Sequence, residues 1–132
     1  MTIVTTSRKP LPEIRALARD LAFSIGSRYL TRGKQGLVDV LSLDETVVLV
    51  TMQGRQPHLQ VYRGGDPVVS IPIQSYTVVQ RQDEIRRGLA VSDMPLYEEL
   101  KDYIDVFCMQ KQDREILFDG TQKRRYTLEL AA

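Results

Sequence analysis

Tryptophan is absent, and cysteine and histidine occur once each, as Cys108 and His58. A single cysteine excludes an internal disulfide framework and any cysteine-rich zinc site. A reducing compartment suits such a chain. A lone histidine holds no metal without other strong ligands, and no aspartate pair stands at matching spacing. Cys108 closes what reads as an apolar helix face, which points to a packing role, and no base accompanies it as a nucleophile would need. Gly33-Lys34-Gln35-Gly36 lacks the spacing of a nucleotide-binding phosphate loop. No run approaches the roughly 18 apolar residues of a membrane span. Met1-Thr2-Ile3-Val4 has neither the basic nor the long apolar region of a signal peptide. A non-enzymatic, cytoplasmic protein without cofactor or metal is therefore expected.

What is present is an ordinary globular composition. With 42% hydrophobic residues in 132, the chain can bury a core without covalent staples, and its length fits one domain over residues 1–132. The net charge of +1 points to no class of partner, but its distribution does. Residues 1–38 hold seven cations against two acids, a net +5, and the remainder holds eleven against fifteen, a net −4. Such asymmetry suggests a local polyanion site, with a solvated helix face as the plainer alternative.

Thr2–Thr6 reads as a β-branched strand ended by Ser7-Arg8-Lys9-Pro10. A helix follows over residues 12–25, with Ile14, Leu17, Ala18, Leu21, Ala22 and Ile25 on one face. Pro12 suits its first turn and Gly26 the left-handed position after it. Residues 28–30 form a short strand and 37–41 a short helix. Thr46–Met52 is a buried central strand, broken by Gly54-Arg55-Gln56-Pro57. His58–Arg63 and Val68–Ile73 form a hairpin about Gly64-Gly65-Asp66-Pro67. Pro72 favours an edge or irregular strand, and Ser75–Val79 continues as another. Residues 80–93 read as a loop or short helix. A second helix opens at Pro95, with Leu96, Leu100, Tyr103, Ile104 and Phe107 on its apolar face. Glu115–Phe118 and Tyr126–Leu130 are strands flanking a basic Lys123-Arg124-Arg125 run, which either extends a binding surface or keeps the hairpin soluble. The pattern predicts an α/β domain: a mixed sheet flanked by helices.

Two basic loops stand out. Ser7, Arg8 and Lys9 combine a hydroxyl, a guanidinium fork and a point cation ahead of a helix N-terminus, which itself favours anions. Arg32 and Lys34 flank Gly33, whose missing side chain lets backbone approach a ligand. Arg15 and Arg19 lie one turn apart on the intervening helix. Tyr29 precedes the second loop and can stack on a base or pack inward. In an open α/β sheet the loop after the first strand lies at the ligand-binding carboxyl edge.

Thr6-Ser7-Arg8-Lys9-Pro10 with its amphipathic helix, then Tyr29-x-x-Arg32-Gly33-Lys34, then the strand into Gly54-Arg55-Gln56-Pro57 together resemble the archaeal Brix-domain proteins of ribosome biogenesis. The resemblance is clear over residues 2–79 and weaker beyond. This chain is short for the family and carries Leu11-Pro12 where the family has a serine-like helix cap. The resemblance implies a fold like the anticodon-binding domains of class II aminoacyl-tRNA synthetases. It also implies non-catalytic binding of ribosomal RNA or its precursor during processing or subunit assembly. Ser7, Arg8, Lys9, Arg15, Arg19, Tyr29, Arg32, Gly33 and Lys34 are the expected RNA contacts. Ribosomal proteins or other assembly factors are further expected partners. The alternative is a protein-docking module for such factors, with the acidic remainder as docking face.

Overall fold

The computed structural model describes residues 2–131. Strand β1 (Thr2–Thr6) leads into helix α1 (Pro12–Ser24), strand β2 (Arg28–Tyr29), helix α2 (Leu37–Leu41) and strands β3 (Thr46–Gln53), β4 (Gln56–Arg63) and β5 (Asp66–Gln80). There follow β6 (Leu89–Val91), α3 (Met94–Leu100), β7 (Val106–Cys108), β8 (Glu115–Asp119) and β9 (Arg124–Leu130). All nine strands join one sheet in the order β2-β1-β3-β4-β5-β9-β8-β6-β7. The mixed α/β architecture read from the sequence is borne out.

Helix α1 is the hub. Its apolar stripe, from Ile14 to Leu21 and Ala22, packs on β1 and β3 and shares one buried cluster with Val4, Val48, Val50, Leu59 and Val61 of the first half-sheet. The same cluster includes Leu89, Val91, Ile116, Phe118, Tyr126 and Leu128 of the second half-sheet. The sheet therefore curls around the helix, and both halves share one core. Pro12 sits at the helix start, and Leu11 as cap makes no side-chain bond. Gly26 follows the helix at φ 67°, where a Cβ is strained.

Strand β5 differs from the sequence reading. Its 15 residues run without interruption, joining the two expected strands into the middle of the sheet. Pro72, expected at an edge, lies in this central strand. Its pairing with His58 is the last on the β4 side, and from Ile73 onward β5 pairs with β9 across a register shift. A residue without an N–H is tolerated where one ladder stops and another begins. Pro57 likewise lies inside β4, opposite Met52, so the break is confined to the Gly54-Arg55 turn.

The second half departs more. Leu89–Val91 is a buried strand between β8 and β7, too short to announce itself by alternation. Helix α3 stops at Leu100. Tyr103 and Ile104 continue only as a turn, both donating to the Leu100 carbonyl. Phe107 belongs to β7, parallel to β6. Cys108, expected to be buried at a helix end, is exposed on that edge strand. Leu96, Leu100, Tyr103 and Ile104 do press on the core, but in β7 it is Val106, not Phe107, that packs against it.

Candidate nucleic-acid interface

The two basic loops meet. β2 runs parallel to β1, with Ile3 opposite Arg28 and Val4 opposite Tyr29, so the loops after both strands leave the same sheet edge. The Arg8 guanidinium crosses to the second loop, donating from Nη2 to the Lys34 carbonyl at 3.1 Å and from Nε to the Gln35 carbonyl at 3.5 Å. Arg32 donates from Nε to the same Gln35 carbonyl at 3.0 Å and from Nη1 to the Thr6 carbonyl at 3.3 Å. Two guanidinium groups therefore share one carbonyl oxygen. Each leaves other N–H groups for a ligand, because a guanidinium has five. Thr5 Oγ1 ties the base of the site by donating to the Leu30 carbonyl at 2.8 Å.

Backbone conformation serves the same turn. Lys9 has φ 51° and Gly33 φ 58°, both left-handed. No atom stands within 4 Å of where a Gly33 Cβ would be, so conformation, not space, demands glycine there. Arg15 and Arg19 are exposed on α1. Arg19 lies over the half-buried Tyr29 ring, 5.4 Å from its centroid. Tyr29 thus already stacks with one cation while packing against the core.

Charge pairing separates the two halves. Among the described residues, Arg8, Lys9, Arg15, Arg19, Arg28, Arg32 and Lys34 form no ion pair. Later cations are mostly matched: Arg63 with Glu45 at 3.1 Å, Lys111 with Glu115 at 3.0 Å, Arg114 with Asp93 at 2.5 Å and Arg125 with Asp119 at 2.7 Å. One of the two early acids, Asp20, is taken by Arg124 from the far end of the chain, at 2.7 Å. Among the described residues these amino-terminal cations are therefore left without an ion pair, although the Asp39 carboxylate lies near the Arg8 guanidinium beside Gly36.

The helix N-terminus adds less than the sequence promised. Pro12 has no N–H, Ile14 and Arg15 donate to the Leu11 carbonyl, and the Glu13 carboxylate occupies the first turn. An anion at this site meets side-chain cations, not a helix end.

No family model matches the chain. A probable Brix domain-containing ribosomal biogenesis protein of Methanococcoides burtonii is 40% identical over 50 residues. That match spans 38% of this chain and only 32% of the relative. Two solved structures match almost end to end. Mil, an archaeal Imp4-like protein, superposes with a TM-score of 0.68 at 20% identity, covering 98% of this chain and 97% of Mil. A probable ribosomal biogenesis protein from Aeropyrum pernix superposes with a TM-score of 0.69 at 18% identity, covering 98% and 94%.

The chain has the fold of the archaeal Imp4-like proteins. The Brix resemblance read from its motifs is borne out by the curated relative. Within this Imp4-like fold, the Lys123-Arg124-Arg125 run leaves Lys123 exposed, while the half-buried Arg124 and Arg125 turn their guanidinium groups to carboxylates of the chain itself. Arg124 Nε binds Asp20 Oδ2 at 2.7 Å, and Arg125 reaches Asp119 and Asp83 at 2.7 and 2.8 Å. It closes the fold more than it extends a surface. Asp20 also accepts from Thr121 N–H at 3.0 Å, Thr121 Oγ1 at 2.7 Å and Tyr126 OH at 2.5 Å. Burial pushes its carboxyl up, but the bonds from Arg124, Tyr126 and Thr121 outweigh it and hold the pKa below the usual carboxylate value. This network was invisible to sequence reading, since no short-range signal links residue 20 to residue 124. His58 is buried and shares a 2.7 Å hydrogen bond with Ser70 Oγ. Burial lowers its pKa.

Proposed function

We propose that this chain is a ribosome-biogenesis factor of the Brix/Imp4 type that grips the backbone of ribosomal RNA or its precursor without catalysing a reaction. Support comes from the names of the matched relative and the neighbours. It comes foremost from one feature of the chain itself: Arg8 and Arg32 converge on the Gln35 carbonyl with Lys9 and Lys34 beside them. Four cations that form no ion pair among the described residues, in loops pinned to each other, make a preorganised phosphate site. The guanidinium forks bind phosphate oxygens bidentately, and the lysines add point charge. Arg15 and Arg19 extend the track along α1, and the Tyr29 ring backs it. Ser7 offers a hydroxyl, and Gly33 allows close backbone approach.

Replacing Arg8, Lys9, Arg32 and Lys34 by alanine should weaken binding to single-stranded ribosomal RNA fragments. At about −0.7 per contact, four contacts correspond to a slope near −3 of log K against log salt, and the quadruple variant should flatten it by up to that amount. The test is fluorescence anisotropy over a salt series, with a matched DNA strand as control. Undiminished affinity and an unchanged slope in a folded quadruple variant would remove the site from consideration.

A further inference from the structure

Strand β5 outruns its neighbour. Its pairing with β4 ends at Pro72, yet it continues to Gln80 paired only with β9. One edge of residues 74–80 therefore faces no other strand. The register identifies which groups it presents. Gly120 donates to the Arg124 carbonyl and Leu130 to the Arg114 carbonyl, so the even-numbered residues of β9 bond to β8 and the odd-numbered ones to β5. Arg125, Thr127 and Glu129 stand opposite Val79, Thr77 and Ser75. Tyr76, Val78 and Gln80 consequently point their N–H and C=O groups at the open edge.

Natural edges are normally blunted by charge, proline, bulges or brevity. The sheet's outer edges obey this: β2 has two residues and β7 three. The β5 edge does not. Residues 74–80 contain no charge, proline or glycine, and Val78 and Val79 are 43% and 54% exposed.

We propose that this edge pairs antiparallel with the same edge of a second copy, about a two-fold axis through Val78. The edge is self-complementary there. Val78 meets Val78 of the second copy as a hydrogen-bonded pair, and Tyr76 meets Gln80. On the other face Thr77 meets Val79, a β-branched cross-strand pair. Arg81 falls opposite Ser75 of the second copy, where Glu13 and Arg55 line the surface and Pro57 of β4 ends the open edge. A neutral strand gives a charged segment nothing to recognise, but it lets an identical strand close without repulsion. An interface this narrow gives a weak, concentration-dependent dimer.

The test is sedimentation equilibrium of the nuclease-treated full chain up to submillimolar concentration. The apparent mass should rise toward twice the monomer, with little dependence on salt. Val78→Pro removes an N–H that β9 does not use, so it should abolish association while keeping the thermal transition. In a Cys108→Ser background, Val78→Cys should form a disulfide-linked dimer. Its Cα atoms would stand about 5.5 Å apart, within disulfide reach. Val79→Cys should not, because its diagonal separation is about 7–8 Å. A chain that stays monomeric throughout, or equal cross-linking at both positions, would overturn the proposal. The edge would then be left to a segment of another protein.

Discussion

Asp20→Ala tests whether one buried carboxylate joins the two ends of the chain. Asp20 is fully buried on α1, and its oxygens accept from Thr121, Arg124 and Tyr126. Removing the carboxylate leaves three sets of donors. The Arg124 side chain is 35% exposed, so it turns to water and loses little. Tyr126 is buried and the Thr121 amide faces the vacated space. Each orphaned donor costs about 1–3 kcal/mol. The Tyr126 and Thr121 donors together bring the loss to about 3–5 kcal/mol. At about 4 °C per kcal/mol for a chain of this size, the midpoint should fall by about 12–20 °C. Urea unfolding followed by circular dichroism gives the free energy directly. The carboxyl pKa is depressed in the folded state, so its contribution is full above the unfolded value near 3.9 and is lost as pH falls through the folded value. The wild type should therefore lose stability in acid along a limb that Asp20→Asn lacks. A loss below about 1 kcal/mol for Asp20→Ala, or identical acid limbs, would refute this reading of the network.

Gly120→Ala addresses the same junction from the other side. An added Cβ would stand 2.4 Å from the Asp20 Cβ, so overpacking should cost about 1–3 kcal/mol or more in urea unfolding. Gly33→Ala meets no atom within 4 Å but must hold φ 58°. A melting experiment should show about 1–2 kcal/mol lost, with RNA binding weakened only if the loop shifts. His58 has its pKa lowered by burial. Its contribution is complete above the unfolded value near 6.5 and fades as pH drops below it. His58→Gln should show a flatter stability profile than wild type from pH 6.5 downward.

Residue order alone made legible what short-range physics controls. β1, α1 and the Gly26 cap followed from a β-branched run, a 3.6-residue stripe and a left-handed glycine, all within about 25 residues. The two basic loops were legible for the same reason, since charge and turn chemistry are local. Their contact was not, because Arg8 reaches the Gln35 carbonyl across 27 residues. Long-range packing set the rest: α1 is shared by both half-sheets, and Asp20 pairs with an arginine 104 residues later. It alone decided that Pro72 sits in a central strand, because a proline's tolerance depends on which neighbour strand ends beside it. Cys108 was misplaced because periodicity reports that residues press on a core, not which element carries them there. The open edge of β5 belongs to the same class. Which backbone groups lack partners is settled by strand pairing across the whole chain, and no local pattern encodes it.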